Sequence, residues 1–266
     1  MSRLAYIFYI YIKANTHQTP PKLTKAIEEI QNARKDLPLH LSQHFPVTDD
    51  DRQWEMIHPW VPFQRYLVTH VLDFLELGIA RVLVAKETDD ESAQYRKLAV
   101  SSANRILLNY TIQVPRVYRL VWTVSAAAVA ASVYISLDML ANPHDYRENH
   151  KIEAIELLRH TAMELKKHAD VAVHASKGSV MIEHLLPLVS EGHVRASHPP
   201  RTVHDLVQQL STSDQNTELS FRSSSSQDMD AAYIGPFEND ITFSLLEGHL
   251  DGTLAMNEWD EFLLSL

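Results

Sequence analysis

His160, Glu164 and His168 stand at i, i+4 and i+8. On a helix that continues through all three, two imidazoles and a carboxylate share one face, a donor set that zinc accepts. The zincin arrangement, two histidines at i and i+4 with a glutamate between them, is absent. A chain with 15 histidines also produces such spacings by chance. A solvated helix face is the expected reading, and a helical metal-dependent enzyme using His160, Glu164 and His168 is the alternative. Asp49, Asp50 and Asp51 are three consecutive carboxylates. Adjacent acids in a loop cannot all face one cation, and the alternating calcium-loop pattern with glycine at its sixth position is missing. No G-x-S-x-G, P-loop or G-x-G-x-x-G occurs. With no cysteine, thiolate metal sites, iron–sulfur clusters, disulfides and cysteine nucleophiles are excluded. These residues do not predict an enzyme, and they assign no metal or cofactor to this chain.

The stronger signal is physical rather than catalytic. At the C-terminus, Asn257-Glu258-Trp259-Asp260-Glu261-Phe262-Leu263-Leu264 alternates large apolar groups with acids. Charge repulsion and solvation keep such rings accessible. On a hydrophobic groove, Trp259, Phe262 and Leu263 fall at i, i+3 and i+4 and can dock as one helical face. Phe243 and Leu245 form a second apolar patch. The segment's setting is strongly acidic. Residues 1–210 hold 23 acidic and 23 basic side chains, whereas residues 211–266 hold 11 acids against Arg222 alone. The whole formal charge of −10 therefore lies in the tail. An acidic tail repels nucleic acid and commonly serves as an interaction segment. The body carries no basic run longer than Lys166-Lys167, so the electrostatic term that drives DNA binding is lacking.

The elements that would position these residues are helical. Only six glycines occur in 266 residues, too few for a turn-rich β fold. A short helix is predicted over Thr24–Lys35, ended by Leu37-Pro38. Residues 42–61 read as a polar loop carrying the three aspartates. Phe63, Leu67, Val71, Phe74, Leu75, Ile79, Val82 and Leu83 recur at helical spacing, with Arg65, Asp73, Glu76 and Arg81 between them. Ser92 is the predicted N-cap of the next helix, which runs to about Tyr110 with Leu98, Ala99, Ser102, Ile106 and Leu107 inward. Residues 120–137 carry no charge and reach the lower edge of a membrane span. Four hydroxyl residues and an alanine-rich centre predict a central buried helix instead, with a membrane anchor as the alternative. Lys151 to about Ala175 is predicted as one amphipathic helix, with Ile152, Ile155, Leu158, Ala162 and Leu165 as its stripe. Gly178 then marks a break, and Val180–Leu186 is a further helix ended by Pro187. The apolar run Leu4–Ile12 is short for a signal sequence.

The predicted architecture is all-α: an irregular helical bundle over residues 1–190, a linker and short helix over 191–210, and an acidic, largely disordered segment over 211–266. The last segment is Ser/Thr/Gln/Asn/Asp-rich, with too little apolar surface to offset its ordering entropy.

Several pieces, in order, resemble the regulatory domain of the fungal binuclear zinc cluster transcription factors, the fungal-specific transcription factor domain or middle homology region. Arg3-Leu4-Ala5 with the following Ile/Tyr run, Leu37-Pro38-Leu39-His40-Leu41, Pro62-Phe63 to Arg81, the small residues Ala99, Ser102 and Ala103 beside Ile106 and Leu107, and Trp122–Leu140 carry the resemblance. It covers about half of the chain and rests on degenerate hydrophobic motifs. The resemblance implies an all-α regulatory domain, a nuclear address, control of RNA polymerase II genes and coactivator proteins as partners. It also leaves room for a small-molecule effector and a homodimer. The family's six-cysteine zinc module has no counterpart here. DNA would be met only through a missing N-terminal module, so the resemblance implies a truncated gene model or a product without DNA contact.

Overall fold

The computed structural model describes residues 20–42, 45–86 and 89–191. Among them are eight α-helices and no strand, so the fold is all-α. Helix α1 is Pro20–Lys35, longer at its start than the sequence predicts. Prolines at the first two positions lack only N–H groups that a helix start leaves unbonded. Leu23, Ala26, Ile27, Ile30 and Ala33 form its buried face. A 3-10 turn, Leu39–Leu41, follows.

Residues 42–61 are not one loop. Helix α2 spans Asp49–Ile57, and the three aspartates form its first turn. Thr48 Oγ1 accepts from the Asp51 N–H at 3.2 Å, and the Asp51 carboxylate accepts from the Thr48 N–H at 2.9 Å. This is a reciprocal capping box. The acids sit where the helix dipole favours negative charge. Accepting from the Thr48 N–H holds the Asp51 carboxyl below its ordinary range.

Helices α3 (Val61–Lys86) and α4 (Asp89–Thr111) form an antiparallel pair. Ser92 does not cap α4. It lies in the first turn and donates to the Val84 carbonyl at 3.0 Å, tying the two helices near their connection. Asp73 and Glu76 do not face water either. Their side chains are 0% and 3% exposed.

A four-residue helix α5 (Arg116–Arg119) leads into α6 (Trp122–Ala141), in which every residue from Val124 to Met139 is buried. Its length and hydropathy would suffice to cross a membrane, but 89% of the apolar window is covered by the other helices. Its hydroxyls are satisfied locally. Ser132 donates to the Ala128 carbonyl, Ser136 to that of Ser132 and Ser125 to that of Arg119, each at 2.8 Å. Ala126, Ala127, Ala130 and Ala131 let neighbouring helices approach closely.

After the 3-10 turn Pro143–Asp145 come α7 (Glu148–Lys166) and α8 (Val173–Glu191). The single helix predicted to Ala175 therefore stops at Lys166. Ile152 is exposed rather than inward, whereas Leu158, Ala162 and Leu165 are buried. Gly178 is no break: α8 runs through it and through Pro187. A Cβ at Gly178 would lie 2.2 Å from Val129 Cγ2. The missing side chain lets α8 lie directly on α6.

Salt bridges fix the directions. Arg105 meets Asp73 across α4 and α3, and Arg96 meets Asp138 across α4 and α6. The starts of α3 and α6 and the ends of α4 and α7 therefore gather at one end of the bundle, with α5 among them.

Candidate functional site

A groove with a volume of about 1620 Å³ runs between α4 and α7. Leu108, Ile152 and Met163 are each more than half exposed along it, among polar and charged neighbours. An ion-pair cluster frames one end, and a second ion pair lies beyond the other, outside the groove's lining. At the end near the start of α4, Arg96 grips Asp138 with two bonds, Nε to Oδ1 at 2.5 Å and Nη2 to Oδ2 at 2.9 Å. Arg96 also bonds Asp145, and the Tyr146 hydroxyl donates to Asp138 Oδ2 at 2.7 Å. Asp138 enters from the last turn of α6, so this arginine ties three segments together. Its grip holds the Asp145 carboxyl below its ordinary range.

Beyond the other end, Arg119 is the pivot. It is buried, donates to Glu164 Oε2 at 2.6 Å, and donates to the carbonyls of Tyr110 and Ile112 at 3.0 and 2.5 Å. Lys167 donates to the second Glu164 oxygen at 2.5 Å. Burial pushes the Glu164 carboxyl up, but Lys167 and Arg119 outweigh it and hold it below the usual range.

Beneath the groove, Asp73 and Glu76 on α3 are held by an arginine from each side. Arg34 Nη2 donates to Asp73 Oδ1 at 2.7 Å and to Glu76 Oε2 at 3.3 Å. Arg105 Nε donates to Asp73 Oδ1 at 2.7 Å, and Arg105 also bonds Glu76. Ser102 Oγ donates to Glu76 Oε2 at 2.9 Å. Two buried acids thus meet two cations, so the cluster is neutral and fixes the register of α1, α3 and α4. No reading of one sequence couples Arg34 to acids 39 and 42 positions away.

His70 lies on the same buried stretch of α3. Its Nδ1 is 3.2 Å from the Tyr66 carbonyl, which sets the proton on Nδ1. Burial pushes its pKa down to about 4, so the ring is neutral.

The structure does not assemble the His160, Glu164, His168 set. His160 and Glu164 share a face, with His160 Nε2 3.5 Å from Glu164 Oε1. α7 ends before His168, which is buried and accepts from Arg116 Nε at 3.3 Å through Nδ1. Glu164 is committed to two cations, so the three do not fit a metal ion. Among the described residues, no group of three His, Cys, Asp or Glu is placed to hold one. Asp49, Asp50 and Asp51 serve the start of α2 instead. Trp259, Phe262, Leu263, Phe243 and Leu245 lie outside the described residues.

Each buried carboxylate faces guanidinium groups, and the groove between them presents alternating apolar and charged side chains. Compared with protein-family models, with characterised proteins and with solved structures, the chain matches none.

Proposed function

We propose that this chain is a transcription-regulatory protein acting in the nucleus on RNA polymerase II genes, and not an enzyme. The helical body is a rigid receiver and the acidic C-terminal segment recruits coactivator proteins. One observation carries the reading: a body with balanced charge is joined to 56 residues holding 11 acids and one base, among which bulky apolar groups recur. Acids around Trp259, Phe262 and Leu263 favour a partner with an apolar groove edged by cations. The resemblance to the fungal regulatory domain supports the same reading, as does the all-α fold.

The groove between α4 and α7 suits the receiving role. Its volume exceeds the 300–1,000 Å³ typical of small-ligand pockets, and its exposed Leu108, Ile152 and Met163 suit a helical segment laid across them.

The test uses residues 211–266 fused to a heterologous DNA-binding domain. The fusion is expected to activate a reporter, and Trp259→Ala with Phe262→Ala to abolish activation. Undiminished activity in the double variant would remove the recruitment mechanism.

A further inference from the structure

Helix α2 is built inside out. A surface helix usually turns an apolar stripe inward and a polar face to water. In α2 no residue is buried, and the two least exposed side chains, Asp51 and Glu55, are carboxylates one turn apart. Both serve to hold the helix. Asp51 accepts from the Val47 and Thr48 N–H groups at 3.1 and 2.9 Å. Glu55 pairs with Arg65 of α3, which also donates to the His40 carbonyl at 3.0 Å. Trp54 is the third attachment, stacked on His58 at 4.1 Å and edge-on to Phe45 at 5.9 Å. The large apolar side chains face solvent instead: Met56 is 74% exposed, Ile57 69%, and Trp60, just beyond the helix, 54%. A helix of nine residues does not persist on propensity alone. Its cap, its ion pair and its tryptophan therefore fix an outward face that the core does not need.

We infer that this outward face of α2, together with Trp60, is a docking surface for a basic amphipathic helix of a partner protein. Asp49, Asp50, Gln53, Met56 and Ile57 follow one another along the face at three- and four-residue steps. Acids occupy its first turn, and apolar groups its last, about 10 Å further on at 1.5 Å per residue.

Charge selects the partner. α2 holds four acids against Arg52, and Arg65 offsets one of them, so four acids less two arginines leave −2. The Arg52–Asp49 pair is exposed and contributes little, and Asp50 meets no cation among the described residues. Such a face repels an anionic membrane and a nucleic acid. Two copies of it would set acid against acid across a two-fold axis. A helix with an apolar stripe flanked by lysine or arginine fits both halves: the stripe covers Met56, Ile57 and Trp60, and the cations meet Asp49 and Asp50. The surface is separate from the C-terminal segment and from the recruitment proposed for it.

The test uses the full 266-residue chain with a photo-crosslinking amino acid at Gln53, in the middle of the face. The probe is a synthetic helix of about 14 residues, or about 21 Å, with leucines on one face and lysines beside them. A twin peptide carries glutamate in place of every lysine. The lysine peptide is expected to cross-link at position 53 with a dissociation constant on the order of 10 µM. Its affinity should fall at least ~5-fold at about 0.5 M NaCl. The glutamate twin should not cross-link, and the same label at Val180, exposed on α8, should capture neither peptide. Met56→Ser with Ile57→Ser should weaken capture at least ~10-fold. Both side chains are exposed, so helical circular dichroism should not change. Capture that the serine pair leaves undiminished would reflect attraction to acids alone and would overturn the proposal. Capture of the glutamate twin, no capture of either peptide, or cross-linking of position 53 to the same chain or to a second copy would overturn it as well. So would flotation with phosphatidylserine vesicles that the serine pair abolishes.

Discussion

Gly178→Ala separates two readings of one glycine by the sign of its effect. If Gly178 were only a weak point in α8, alanine would stabilise the helix by about 1 kcal/mol. The structure gives the opposite result. The new Cβ would sit 2.2 Å from Val129 Cγ2, with Val129 Cβ and Cγ1 at 3.3 and 3.4 Å behind it. Carbon atoms pack at about 3.5–4.0 Å, so one helix must move by more than an ångström or valine must leave its rotamer. Valine is stiff about χ1, and α6 is packed on all sides, so neither response is cheap. An overpacking cost of about 3 kcal/mol, less the propensity gain of about 1, leaves a net loss of about 2 kcal/mol. For a body of this size that lowers Tm by roughly 4–8 °C. The assay is urea unfolding followed by far-ultraviolet circular dichroism, with an unchanged m value expected. Val129→Ala alone should cost about 2 kcal/mol, because it removes buried methyl groups. The double variant should be more stable than Val129→Ala alone, since the clash is gone and the propensity gain remains. A rise in Tm for Gly178→Ala, or simple additivity of the two changes, would refute the close approach of α6 and α8.

Two further outcomes follow from the buried charges. Arg105→Ala leaves Asp73 and Glu76 with Arg34 alone, and should destabilise the body by about 3 kcal/mol in the same assay, while Arg52→Ala, which breaks an exposed pair with Asp49, should be silent. His70 is neutral in the folded chain down to about pH 4, whereas in the unfolded chain it takes up its proton near pH 6.5. The unfolded state therefore binds more protons in that window, so stability falls as pH falls from about 7 to 4, by about 3 kcal/mol through this group. His70→Leu should flatten that part of the pH–stability curve, and an unchanged slope would show that the ring is not desolvated.

The apolar periodicity of α3 and the uncharged run of α6 were legible in the sequence because burial repeats with the helix period. Leu75, Ile79 and Leu83 are buried as their spacing predicts, whereas Phe63, Leu67, Val71, Phe74 and Val82 of the same stripe are only partly buried and Tyr66, Leu72 and Leu77 join the core instead; α6 is the central helix. What could not be read depended on contacts distant in sequence. Asp73 and Glu76 look like solvent-facing interruptions until Arg34 and Arg105 are brought to them. Gly178 looks like a hinge until Val129 is known to oppose it. The loss of α2 had a local cause: Asp49, Asp50 and Asp51 read as a loop, although Thr48 with an acid three residues later is itself a capping signature. The His160, Glu164, His168 reading failed where the helix stopped, since face arithmetic holds only while the helix continues. A chain turning at Lys167 places His168 against Arg116 instead.

The central claim is a division between a receiving body and a recruiting segment, and transcription from a tethered promoter measures it most directly. The full chain and a chain ending at residue 210 are each fused to the same heterologous DNA-binding domain and expressed to equal levels. Activation by the full chain and its loss on truncation are predicted. Equal activation by the truncated chain, or none by either segment 211–266 or the full chain, would contradict the account.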